Sequence, residues 1–364
     1  MNHYLLLVIL VLATALLMHG NRPHNKAYVI VASLLLFSIY GLRNTYVIGY
    51  DSTSSYLHSF HAIGSYSWGE VVAHYNINLG FGILLKLGYF LTGGDYQLFV
   101  SAIALFVTVC FGMLLYRYSP SPVQSILYHF GLLFFVFHFS ALKQSIAMAI
   151  LMPAFHCLVR RKNFKYLLLV LIASQFHFPS IVFLLAFPLS KLRVGRNYLF
   201  LLAGMLLVTF LFRNQIINLM LNTYGGLEES TVYVDLSGTA FLRTKALIMI
   251  VIVMAAVVFR RPRPEDYVYS LLLEFMGIAV VFQTFCGYNN IFERLADYYF
   301  QFSVIFIPMV FDKTADRQPL IGWRLMDIID FAAPYLFGGY GIYRFIINCT
   351  ASSLLYPFKF FFEV

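Results

Sequence analysis

Apolar runs with short polar punctuation fill the chain, at roughly 4–19, 27–42, 77–92, 97–116, 123–140, 142–159, 164–190, 197–213, 243–259, 267–286, 292–311 and 328–348. An α-helix needs about 20 apolar residues to cross a hydrocarbon core, and most of these runs approach that length. They are unbroken by the strict apolar–polar alternation that marks a barrel strand. A segment in lipid must satisfy its own backbone polar groups, which a helix does internally. The pattern predicts an all-α, polytopic helical membrane protein with about 11–12 hydrophobic segments. No long soluble insertion and no internal repeat appears, so a single integral-membrane domain over 1–364 is expected.

Composition agrees. Hydrophobic residues make up 60% of the sequence and charged residues 11%, with a mean hydropathy of +0.77. A water-soluble domain of this size needs a charged surface, so that class is excluded. The net charge of +9 is not a nucleic-acid signal, because most Lys and Arg sit in short clusters between apolar runs, where they orient the chain and meet anionic membrane lipids. Cys110, Cys157, Cys286 and Cys349 lack CxxC spacing and read as small packing residues. The first run has no basic lead-in or cleavage site and is expected to be a retained helix.

The clusters at 21–26, 160–165, 191–196, 260–264 and 312–317 are expected on the cytoplasmic side. Two basic clusters flank the single run 164–190, which must therefore turn back. A split hairpin bending at Gln175 to Pro179, around His177, achieves this. Parity also makes 77–92, short and carrying Lys86, a re-entrant or interfacial helix. Segments 43–76 and 221–243 become outer loops that line a site.

This topology gathers the unusual polar residues on the outer face, and polar groups at membrane depth are usually functional. Candidate catalytic residues are Asp51, His177 and Glu70, with acid/base roles. Candidate binding residues for pyrophosphate or sugar are Arg294, Lys143, Arg43, Arg243, Gln144, Tyr56, Asp297 and Tyr298. Arg294, Asp297 and Tyr298 stand at i, i+3 and i+4 on one helix face beside Glu293. That set reads either as a self-satisfied ion pair at a helix end or as an arginine fork for phosphate. His58 and His61 at i, i+3 and Glu70 and His74 at i, i+4 have ligand-like spacing, but nothing holds the two pairs together and no metal is expected. No cofactor is expected either. Glycine-rich phosphate loops, GxSxG and HExxH are absent, so a transferase here must draw an activated substrate from the membrane.

The order of GYDSTSSY after the second run, SALKQSIAMAI after the fifth, SQFHFPS beyond a basic RRK loop, IFERLADYYF late in the chain and a terminal YPF resembles the EpsG family of bacterial polysaccharide polymerases, a Wzy-type group. The resemblance implies polymerisation of undecaprenyl-pyrophosphate-linked oligosaccharide repeat units of O-antigen, capsule or exopolysaccharide, at the outer face of the bacterial inner membrane. It implies a glycosyltransferase that moves the growing glycan to a hydroxyl of a new lipid-linked unit, with a chain-length regulator and a flippase as partners. Asp51, His177 and Arg294 match the family's GxD, hairpin-histidine and late-helix-arginine positions. Lys143 departs from the family's usual arginine, which keeps the charge and loses the bidentate fork. Alternatives are a lipid-linked glycan ligase, a membrane O-acyltransferase with its histidine near the inner face, and a lipid-linked sugar transporter.

Overall fold

A computed structural model describes residues 2–18, 25–192, 198–224, 244–260, 266–286, 290–312 and 323–363. Arg243, nearly all of the loop 221–243 and most of the basic clusters at 21–26, 191–196, 260–264 and 312–317 lie outside the described residues. Among the described residues every regular element is a helix, and there is no strand. The all-α membrane architecture expected from the run pattern is what the chain adopts.

The elements in order are α1 (His3–Met18), α2 (Lys26–Leu42), a 3₁₀ turn Asp51–Thr53, α3 (Ser55–Ala62), α4 (Trp68–His74), α5 (Leu79–Leu91) and α6 (Tyr96–Tyr118). Then come α7 (Pro122–Gly131), α8 (Phe134–Phe137), α9 (Leu142–Val159), α10 (Asn163–Phe176), a 3₁₀ segment Phe178–Leu185 and α11 (Ala186–Leu189). The remainder is α12 (Tyr198–Leu211), α13 (Arg213–Tyr224), α14 (Thr244–Phe259), α15 (Tyr267–Thr284), α16 (Asn290–Phe300), α17 (Ser303–Val310) and α18 (Trp323–Ala351). Local chemistry sets several boundaries. Asp95 accepts the Leu98 amide at 3.1 Å to open α6, and the preceding turn uses Gly93 and Gly94 at φ 64° and 84°. Pro122 occupies the first turn of α7, where its missing N–H costs nothing.

Helices α6, α9 and α15 are long and apolar enough to cross a membrane, and α12 with α13 forms a pair bent by 72° that is long enough together. Several runs that read as continuous are broken. Run 123–140 splits into α7 and α8 at Leu133, which has φ 66°. Run 292–311 splits into α16 and α17 at Gln301 and Phe302. Run 164–190 breaks at His177, whose extended backbone ends α10, inside the stretch where the bend was expected. At 13 residues α5 is about 20 Å long, short of the hydrocarbon thickness.

Contacts sort the chain into two compact units, residues 1–181 with 331–364, and residues 182–330. In the first, α2 packs closely on α6 because Gly112 faces Ser33, whose Oγ a Cβ would meet at 2.6 Å. Helices α9 and α10 pack along one another as a hairpin whose tight turn places Arg161 at φ 55°. The start of α5 lies on the end of α10, with Gly80 against Gln175. Gly131 of α7 meets Gly341 of α18 backbone to backbone. In the second unit α15 packs on α14 and α16, and Phe183, Phe275, Tyr299 and Phe302 form an aromatic cluster with ring centroids 5.2–5.8 Å apart.

Gly131→Ala would place a methyl 2.4 Å from the Gly341 Cα, and a backbone neighbour cannot rotate away. The expected result is a loss of about 1–3 kcal/mol in detergent unfolding titrations. Gly204→Ala, with nothing within 4 Å of the new methyl, should leave the midpoint unchanged or raise it.

Candidate functional site

The stretch 43–76 is held by two buried cations, Arg43 and Lys86. Arg43 ends α2 and is fully buried. Its Nε donates to the Ile48 carbonyl at 3.2 Å, one terminal nitrogen donates to the Tyr40 carbonyl, and the other donates to the Phe139 carbonyl at 3.3 Å. Its plane also lies 5.0 Å from the Tyr40 ring centroid and 4.8 Å from that of Phe139. Sequence reasoning counted Arg43 among the charges for a pyrophosphate. The structure gives it a different task, tying the end of α2 to the following turn and to the residues just before α9. Lys86 of α5 is likewise buried, and its ammonium donates to the carbonyls of Ile63 at 3.0 Å, Gly64 at 3.3 Å and Tyr66. It fixes the turn between α3 and α4.

Glu70 also has a local role. The Ser67 amide donates to Glu70 Oε2 at 2.6 Å, and the Glu70 amide donates to Ser67 Oγ at 3.3 Å, which is a capping box opening α4. The Ser67 amide first, and its hydroxyl second, hold the Glu70 carboxyl below the usual carboxylate range. A lowered affinity for protons suits a cap better than a base. The rings of Tyr66 and Tyr75 flank His74 edge-on, and among the described residues no group of three His, Cys, Asp or Glu side chains converges as a metal site.

Asp51 is exposed, at the first position of the 3₁₀ turn. Gly49 precedes it at φ 130°, a conformation side-chain-bearing residues avoid. Thr53 closes the turn, its Oγ1 donating to the carbonyls of Gly49 at 3.1 Å and Tyr50 at 2.9 Å.

Three elements meet at the ring of Phe81, which is buried in the first turn of α5. Tyr56 of α3 approaches it edge-on at 5.7 Å, Tyr75 does so at 6.2 Å, and Lys143 Nζ lies 5.4 Å from its centroid. Lys143 is half-buried in the first turn of α9, next to Gln144, which is buried. His177 belongs to the same end of the bundle, because α9 and α10 form an antiparallel hairpin: the start of one lies beside the end of the other. Asn78, just before α5, accepts the Phe178 amide at 3.0 Å and so binds the α5 start to the His177 bend. His177 itself is buried, only 2% exposed. The first unit thus brings Tyr56, Lys143 and the His177 bend together around Phe81 and Asn78. Neither Phe81 nor Asn78 was singled out from the sequence. The signal available was their place directly after the polar stretch.

In the second unit, Glu293, Arg294, Asp297 and Tyr298 lie on α16. Arg294 is half-buried, while Asp297 and Tyr298 are buried. The acidic pair is organised by a residue that the sequence reading missed, Lys245. Its ammonium lies 3.0 Å from Glu293 Oε1 and 2.6 Å from Asp297 Oδ1, joining α14 to α16. A lysine opening an apolar run looks like an interfacial snorkel, so only the fold distinguishes this one. Asp297 is accordingly a partner of Lys245, and Tyr298 a core residue.

No curated protein and no solved structure matches the chain. The EpsG family model does match, over residues 26–360, nearly the whole sequence. The match includes the 3₁₀ turn at Asp51, the Lys143–Phe81 contact, the His177 bend and α16. The chain belongs to the EpsG family, a Wzy-type polymerase family.

Proposed function

We propose that this polysaccharide polymerase joins oligosaccharide repeat units carried on undecaprenyl pyrophosphate at the outer face of the bacterial inner membrane, using Asp51 and Lys143 in its first unit. The observation that carries the reading is the meeting of Lys143, Tyr56 and Tyr75 at Phe81, next to the His177 bend, in a chain of this family. In the reaction an acceptor hydroxyl oxygen attacks the anomeric carbon of the lipid-linked glycan. The bond from that carbon to the pyrophosphate oxygen breaks, and undecaprenyl pyrophosphate leaves with the bonding electrons. The donor is already activated, so no nucleotide is consumed.

Two needs follow. The leaving pyrophosphate gains negative charge, which a nearby cation stabilises, and the acceptor hydroxyl must lose its proton. Lys143 meets the first need. It stands at the start of an 18-residue helix whose N-terminal end carries partial positive charge, and Ala141 supplies no side-chain cap there. Asp51 meets the second, as an exposed carboxylate on a turn held by Thr53. His177, buried at the bend, is assigned to shaping that end of the bundle, and Tyr56 and Tyr75 offer ring faces to sugar. Arg294, half-buried on α16, keeps its assignment as a phosphate-binding residue on the resemblance of the IFERLADYYF segment. Arg43, Glu70, Gln144, Asp297 and Tyr298 are left to the fold. The reading implies two partners, a flippase that delivers the lipid-linked units and a regulator of chain length.

Lipid-linked glycan ladders from cells carrying single variants test this. Asp51→Asn should reduce the ladder to single repeat units, a loss of about 10²-fold or more in elongation. Lys143→Ala should cost about 10–100-fold, and Lys143→Arg should restore most of the ladder because the charge is kept. Arg294→Ala should also shorten it. Full ladders in Asp51→Asn and Lys143→Ala, at normal protein levels, would contradict the assigned site.

A further inference from the structure

Besides the bonds within the Asp51 turn itself, four contacts fasten the residues just before it to one distant segment, Ser352–Glu363. The Asn44 amide donates to the Lys359 carbonyl at 2.8 Å, and the Phe361 amide donates to the Leu42 carbonyl at 3.0 Å, flanking an isolated antiparallel bridge between Arg43 and Phe360. The Gly49 amide donates to the Leu354 carbonyl at 2.9 Å. The Tyr50 hydroxyl lies 2.7 Å from Ser352 Oγ. All four fall between Leu42 and Tyr50, and the last is adjacent to Asp51.

The segment is in turn anchored from its other side. The Tyr4 hydroxyl of α1 donates to the Leu355 carbonyl at 2.8 Å. The ring of His3 lies 5.2 Å from that of Phe358 and 5.4 Å from that of Phe360, and Tyr4 packs edge-on to Phe358 at 5.4 Å. Leu355 and Phe358 are buried. A segment gripped on both sides transmits position, because the Gly49 and Tyr4 contacts fall on the neighbouring carbonyls of Leu354 and Leu355.

We infer that Ser352–Glu363 is a strap that positions the Asp51 turn, with Ser352 as a positioning residue for the carboxylate. The inference rests on the role proposed for Asp51. Ser352 itself touches Tyr50 and not the reacting atoms. Without the strap Gly49 and Tyr50 lose their external partners, and the carboxylate samples more orientations than the one that meets an acceptor hydroxyl.

The test combines hydrogen–deuterium exchange on the purified full chain with the glycan ladder, for Ser352→Ala, Ser352→Thr, Tyr50→Phe and a chain stopped after Ala351. The amides of Thr53 and Ser54 bond only within the turn, to the carbonyls of Tyr50 and Asp51, so they report its order without touching the strap. Ser352→Ala and Tyr50→Phe are each expected to speed their exchange about threefold to tenfold and to shorten the ladder. The double variant should do no more than either single one, since both remove the same hydrogen bond. Ser352→Thr, which keeps the hydroxyl, should restore both readouts, while exchange in α9 and α10 stays unchanged. The stopped chain should lose the ladder entirely. Unchanged exchange at Thr53 and Ser54 in Ser352→Ala and in the stopped chain overturns the inference. So does an equal rise across α9 and α10, or faster exchange with a full ladder. Asp51→Asn run in parallel separates the two claims: a full ladder there refutes the role of Asp51 while the exchange data still judge the strap.

Discussion

The guanidinium of Arg43 is the interaction on which the Asp51 end of the first unit depends. A charge this deeply buried is tolerated only with partners, and Arg43 finds three carbonyls and two aromatic faces. The carbonyls come from the end of α2, from the turn leading to Asp51 and from Phe139, four residues before Lys143. One side chain therefore fixes where the stretch 43–76 leaves α2 and where α9 begins. Lys86 repeats the device one layer on, holding the turn between α3 and α4 by three carbonyls. Both cations solve the same problem. Irregular backbone buried among side chains has carbonyls that water cannot serve, and a buried lysine or arginine serves several at once.

This changes how polar residues in such a chain are read. Scarcity makes every charge look functional, but the structure divides them by what their atoms touch. Arg43, Lys86 and Glu70 are each matched to backbone groups. Lys245 is matched to two carboxylates, and removing it would leave Glu293 and Asp297 without the ammonium that bridges them. Asp51 stands on the surface, and Lys143 faces an aromatic ring at the start of a helix.

The helical membrane class was legible because apolar run length and low charge are direct readouts of the solvent the chain lives in. The break at His177 was legible too, because parity of the basic clusters and Pro179 pointed to the same residues. The breaks at Leu133 and Phe302 were not, since a lone Gly131, or Gln301 with Ser303, is tolerated inside a helix and marks no boundary by itself. In the first case the cause is tertiary: α7 ends where Gly131 meets the backbone of Gly341, more than two hundred positions away in the chain. The same holds for the site. The GYD segment marked Asp51, but the strap from Ser352 that holds it, and the Phe81 ring that gathers Tyr56, Tyr75 and Lys143, are long-range contacts that local pattern does not encode. The carbonyl partners of Arg43 were not legible because a fork suited to phosphate is equally suited to carbonyl oxygens.

What the purified protein does with lipid-linked repeat units is the most direct test. Reconstituted into vesicles and given only undecaprenyl-pyrophosphate-linked repeat units, it should build a ladder of longer lipid-linked glycans and release one undecaprenyl pyrophosphate for each unit joined, with no nucleotide added. Failure to elongate under those conditions, or elongation that requires a nucleotide sugar, would contradict it.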